Sequence, residues 1–155
     1  MDIDTSDWLE ESKIEGEDPE DTELLRELAA EARAYMEAFE WCPKIECIHL
    51  ALGVGGVVGV FLFQFDEVIE DDDDALWVVV GDLPSAYVIV EPDDDGISAL
   101  SRYCELMEDW AFNVLEGHSL DDSFPVDVEA TSEHADMLNS RIAFLRSEII
   151  ESSED

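Results

Sequence analysis

Residues 47 to 65 read CIHLALGVGGVVGVFLFQF, a run without one formally charged side chain. Two structures compete for it. As a single helix it is about long enough to cross a bilayer, and Gly55 and Gly59 supply a GxxxG spacing. As two strands it needs a break in the middle, and Gly55-Gly56 provides one. The residue types favour strands. Val57, Val58 and Val60 are β-branched, Phe61, Phe63 and Phe65 recur at every second position, and four glycines weaken any helix. His49 and Gln64 interrupt the apolar run, and no basic cluster flanks it to set a membrane orientation. The expectation is a hairpin, with strands at 46–53 and 57–65 joined at Gly55-Gly56, a dipeptide that tolerates the positive φ of a tight turn.

Working outward, Leu76-Trp77-Val78-Val79-Val80 reads as a third strand and Ala86 to Val90 as a fourth, joined by turn residues from Gly81 to Ser85. Their continuous apolar character points to burial on both faces or a central place in the sheet. Before the hairpin, Pro19 and Asp21 open a helix that carries Leu25, Leu28, Ala32, Tyr35 or Met36, and Phe39 at helical spacing and ends by Cys42-Pro43. A second helix starts near Ser98, presents Leu100, Cys104, Met107, Ala111 and Val114, and stops at Gly117. A third is capped by Thr131 or Ser132, and Ala135, Leu138, Ile142, Leu145 and Ile149 form its apolar stripe. The predicted class is α+β: a four-stranded, mainly antiparallel sheet with about three helices packed on one side. One domain is expected over 20–150, with a flexible acidic arm over 1–19 and a frayed tail over 151–155. Within the arm, Trp8 and Leu9 are the residues able to dock on the body.

Charge narrows function. The chain of 155 residues holds 42 Asp and Glu against 7 Lys and Arg, a formal net charge of −35. Nucleic acid and anionic membranes would be repelled as direct partners. With 46% hydrophobic residues the chain can still close a core, so the acids coat a folded body. Repulsion within that coat destabilises the fold at low ionic strength, and added salt relieves it. The amino terminus lacks the pattern of a secretory signal, and Cys42, Cys47 and Cys104 are an odd, irregular set. A cytoplasmic location with free thiols is the default.

Motifs that carry chemistry are sparse. Glu91, Asp93, Asp95 and Gly96 imitate the start of a calcium loop, but the twelfth position is Arg102, where a bidentate Glu is needed. A solvated turn that caps the next helix explains the same residues. Cys42, Cys47 and His49 gather soft ligands, but a structural zinc needs a fourth and a tighter knuckle. GVGGVVG at 53–59 has neither phosphate-loop spacing nor a lysine. No strained nucleophile turn accompanies His49, His118 or His134. No catalytic, cofactor or metal residue is therefore assigned, and the protein is not expected to be an enzyme.

The most distinctive string is Gly81-Asp82-Leu83-Pro84-Ser85-Ala86-Tyr87, preceded by Leu76 to Val80 and followed by Tyr103-Cys104-Glu105-Leu106-Met107-Glu108-Asp109-Trp110. It resembles a family of small uncharacterised bacterial proteins over about 42–150. The resemblance implies a bacterial cytosolic protein and brings no activity. A buried Asp82, bonded to backbone amides in its turn, would account for the string structurally.

The expected function is non-catalytic protein binding through a small aromatic or apolar patch. Trp8, Trp41, Trp77 and Trp110 are the candidate anchors, with Asp82 beside them. One alternative is an acidic inhibitor of a basic protein, either an immunity protein or a nucleic-acid mimic. Another is a small enzyme or metal protein.

Overall fold

The computed structural model describes residues 8–55, 57–68, 74–91, 94–120 and 129–150. The tail over 151–155 and the Asp71–Asp73 acids lie outside them. The chain divides into two compact units, Met1–Ala99 and Leu100–Asp155, where the sequence suggests one domain.

The first unit holds the sheet. Its five antiparallel strands follow chain order: β1 (Leu9–Glu10), β2 (Ile45–Val54), β3 (Val58–Phe65), β4 (Ala75–Gly81) and β5 (Ala86–Ile89). The charge-free run is thus the β2–β3 hairpin, closed by the Val57 N–H donating to the Val54 carbonyl at 2.9 Å. Among the described residues no helix is long and apolar enough to cross a membrane.

Gly56, the second residue of the expected break, lies outside the described residues. Gly55 is not among the described glycines with positive φ, which are Gly81 and Gly117. Space explains Gly55 instead: a Cβ there would lie 2.5 Å from Asp21 Oδ1 and 3.1 Å from Leu24 Cβ. Both neighbours belong to helix α1 (Pro19–Glu37). Would-be Cβ atoms at Gly53 and Gly59 likewise approach Leu25 and Leu28 of α1.

Helix α1 begins where its sequence requires. Asp18 accepts the Asp21 N–H at 2.8 Å, and Pro19 occupies the first turn, where its missing N–H costs nothing. Leu25, Leu28, Ala29, Ala32 and Met36 face one side of the sheet. They meet Ile48, Leu50, Phe61, Phe63, Phe65, Leu76, Val78 and Val80. Val60, Leu62, Trp77 and Val79, which alternate with these, are fully buried too. A large apolar side chain taken from water contributes about 1.5–3 kcal/mol. The exposed Arg33–Glu11 pair, at 2.7 Å, contributes about 0–1 kcal/mol. Packing therefore holds this unit together.

Three expectations need correction here. The 1–19 arm is not loose from Trp8 onward. Leu9 and Glu10 pair with Leu50 and His49, and Ile14 is fully buried in the α1 core. Two residues are too short to show alternation, so this fifth strand left no pattern in the sequence. Strand β5 is not central. It is an edge strand whose Ala86 and Val88 are buried while Ile89 is 62% exposed. The Gly81–Ser85 turn does not bury Asp82, which is exposed. The backbone of Asp82 bonds instead, its N–H donating to the Val57 carbonyl at 3.0 Å.

The second unit is helical. Helix α2 runs from Gly96, still in the first unit, to Glu116. Asp95 caps it by accepting the Ser98 N–H at 2.7 Å. At the other end Gly117, at φ +71°, and His118 close the helix on the Val114 and Asn113 carbonyls. Tyr103 and Trp110 are buried along with the predicted Leu100, Cys104, Met107 and Ala111. Helix α3 (Ser132–Leu145) is capped by Thr131 and continues as a π-helical turn over Arg146–Ile150. That wider turn shifts the stripe by one residue. Ile150 is buried and the expected Ile149 is only partly so. Arg146 pairs with Glu108 across the two helices.

Candidate functional site

The predicted anchors separate by burial. Trp77 is fully buried and Trp110 is 3% exposed, so neither can serve as a surface anchor. The apolar runs around them carried both indoles into the interior. Trp8 is half-buried, edge-on to Trp77 with centroids 5.3 Å apart. Asp82 is exposed but stands in the Gly81 turn, apart from any ring contact described for the cluster below. Trp41 remains, 44% exposed.

Trp41 is not isolated. It stacks on Phe39 at 5.0 Å with an interplanar angle of 30°. Tyr87 meets it at 5.5 Å and 67°, and meets Phe39 at 5.6 Å and 87°. Tyr35 stands edge-on to Phe39 at 5.2 Å. The last turns of α1 bring Tyr35 within one helical turn of Phe39, and the chain then folds Trp41 back over Phe39. Tyr87 arrives from β5, on the α1 side because it pairs with Val78. Ile89 lies on the same side of β5 by alternation. The result is a four-ring cluster where α1 meets the sheet edge.

Sequence reading missed Tyr35, Phe39 and Tyr87 as members of a surface cluster. Tyr35 and Phe39 fit the buried stripe of α1, and Tyr87 fits an apolar strand. The signal available was an i, i+4 aromatic pair followed two residues later by tryptophan.

Electrostatically the cluster is acidic. Exposed Glu37 and Glu40 lie on either side of Phe39 in the chain, and the last turn of α1 carries no basic residue. A neighbouring hollow of about 460 Å3 is lined by Arg33, Glu37, Cys42, Pro43, Lys44 and Ile45. Arg33 there is held by two bonds to Glu11, at 2.7 and 3.2 Å.

The other candidate chemistries do not assemble. Asp95 caps α2, and Asp94 accepts from the Trp77 indole at 2.8 Å and the Glu91 N–H at 3.0 Å. The loop that imitates a calcium site is therefore a helix entrance; its Asp93 lies outside the described residues. Cys47 and His49 share one face of β2, as expected, while Cys42 packs against the α1 core. No group of three or more His, Cys, Asp and Glu side chains among the described residues is arranged to hold a metal ion. An open cleft of about 740 Å3 over the start of α1 is lined by Glu15, Glu17, Asp18, Glu23, Glu27 and Arg26, among others. Its polar groups serve the fold: Asp18 is the cap, and Arg26 donates to the Ile14 carbonyl at 3.1 Å.

The thiols differ in exposure. Burial, then the charge of Glu37, pushes the Cys42 thiol up from its ordinary range. Burial pushes Cys104 up to about 11, with Glu108 and Glu105 adding to the rise and Arg146 opposing it. Neither is poised as a nucleophile. Cys47 is exposed. At neutral pH one thiol should react fast with a chromogenic disulfide, and Cys47→Ser should abolish that phase. Cys104 should react only in denaturant. A fast phase that survives Cys47→Ser would contradict these environments.

The chain matches no family model, no curated protein and no solved structure.

Proposed function

We propose that this is a non-catalytic, cytoplasmic acidic protein that works by binding another protein, with Trp41 and its ring cluster as the contact. The observation that carries this reading is a packed group of four aromatic rings, one of them 44% exposed, on a strongly acidic chain. Aromatic anchors dominate interface energetics, and a ring already held by its neighbours loses little freedom on binding. The partner that the charge favours is a basic protein. Such a partner gains electrostatic steering towards a chain of net charge −35. An immunity protein or a nucleic-acid mimic bears this relation to its target. Kinship with small bacterial cytosolic proteins, proposed from the Gly81–Tyr87 string, agrees with that role.

Affinity capture from the source lysate, at low and at moderate salt, tests the reading. Wild-type bait should retain a basic protein that Trp41→Ala bait loses. Retention of no basic protein at low salt would overturn it.

A further inference from the structure

Aromatic side chains, a helix end without a basic residue in its last turn and two exposed carboxylates fall within residues 35 to 41 of the chain. Each attracts the same kind of group. An aromatic face is the negative pole of its ring quadrupole and draws cations. The carboxyl end of a helix carries about half a negative charge. Helix α1 ends at Glu37 with no basic residue in its last turn, so nothing on that turn offsets the end. Exposed Glu37 and Glu40 add formal charges on either side of Phe39.

Trp41 stacks on Phe39, meets Tyr87 at 67°, and is still 44% exposed. The cations close to Trp41 in the chain are engaged or set apart. Arg33 is neutralised by Glu11, and Lys44 lies past Pro43 in the adjoining hollow.

We propose that the exposed part of the Trp41 indole receives an arginine side chain from a basic segment of the protein partner, with Glu37 and Glu40 as its counter-charges. This rests on the protein-binding reading above and specifies its chemistry. Arginine is the residue that fits. Its guanidinium is planar, stacks on an indole and is more weakly hydrated than an ammonium. Charge attraction to the acidic coat is sequence-tolerant and fades with salt, whereas a stacked contact persists when salt screens the coat. The two contributions can therefore be separated.

The test uses the full chain with fluorescein-labelled octa-arginine and octa-lysine peptides, read by anisotropy at about 0.05 M and about 0.5 M NaCl. At the higher salt, wild type should bind octa-arginine about fivefold more tightly than octa-lysine, as one exposed cation–π contact allows. Trp41→Ala should lose that preference and bind octa-arginine about fivefold more weakly. Trp41→Phe, which keeps a ring, should retain most of the affinity and guards against a folding defect. Glu23→Gln, in the acidic cleft away from the rings, should leave the high-salt affinity unchanged. If Trp41→Ala matches wild type at high salt while both bind at low salt, the arginine site is wrong and a basic partner stands. If wild type binds neither peptide at low salt, the site and the basic-partner reading fall together. Self-association in sedimentation that Trp41→Ala abolishes would assign the face to a second copy and overturn the proposal.

Discussion

Gly81→Ala should lower unfolding stability by about 3 kcal/mol or more. Two effects combine at this position. Gly81 holds φ at +146°, a backbone state that a side chain makes strained. A Cβ there would also stand 2.2 Å from the Val57 carbonyl oxygen and 2.8 Å from Val58 Cα. Those are backbone atoms of the neighbouring strand, so no rotamer change relieves the contact. The Val58–Gly81 register and the Asp82 N–H bond to Val57 must shift with it. Strain of this kind costs about 1–3 kcal/mol, and overpacking about as much again. Urea denaturation should show a lower midpoint with an unchanged slope. Gly117→Ala is the matched control. It has φ +71° but nothing within 4 Å of its would-be Cβ, so only the backbone term of about 1–2 kcal/mol applies. Equal losses in the two variants would show that crowding at Gly81 contributes nothing.

Asp94→Ala should cost about 2 kcal/mol. One oxygen of Asp94 accepts both the Trp77 indole N–H and the Glu91 backbone N–H. Trp77 is fully buried, so the alanine variant strands its donor away from water. An unsatisfied buried donor costs about 1–3 kcal/mol. The general charge effect runs the other way, because any lost carboxylate relieves repulsion in a chain at −35. Asp94→Asn separates the two. It keeps a carbonyl acceptor and sheds the charge, so its loss should be less than half that of alanine. A shifted indole N–H resonance for Trp77 in Asp94→Ala alone would report the broken bond directly. Should both variants be as stable as wild type, the bond carries no stability.

How much of the fold could be read in advance depends on how many residues express each feature. The hairpin was legible because alternating phenylalanines, β-branched valines and a Gly-Gly break agree over many positions. Helix α1 was legible through Pro19 and its apolar stripe, and the stop of α2 through Gly117, whereas the Asp18 cap was not read. Strand β1 was not, because a two-residue strand has no period to detect. The π-helical turn at Arg146–Ile150 was not either, because the 3, 4, 3, 4 spacing fits an ordinary helix up to Ile149. Of the candidate site, only Trp41 was nameable in advance. Composition cannot distinguish a tryptophan that fills a core, as Trp77 does, from one that stays exposed.

Element type, strand breaks, the acid coat and the lack of a charged residue between Cys47 and Phe65 are local properties, written in neighbouring residues and in their sum. Burial and partnership are not local. Which tryptophan is covered, why Gly55 must be small and why Tyr87 joins Phe39 and Trp41 all depend on strand and helix meeting from distant parts of the chain. For Gly55 and Tyr87 the helix decides the outcome by where it lands on the sheet, whereas Trp77 lies on the opposite face. That landing is set by the packing of both surfaces together, which neither segment carries alone.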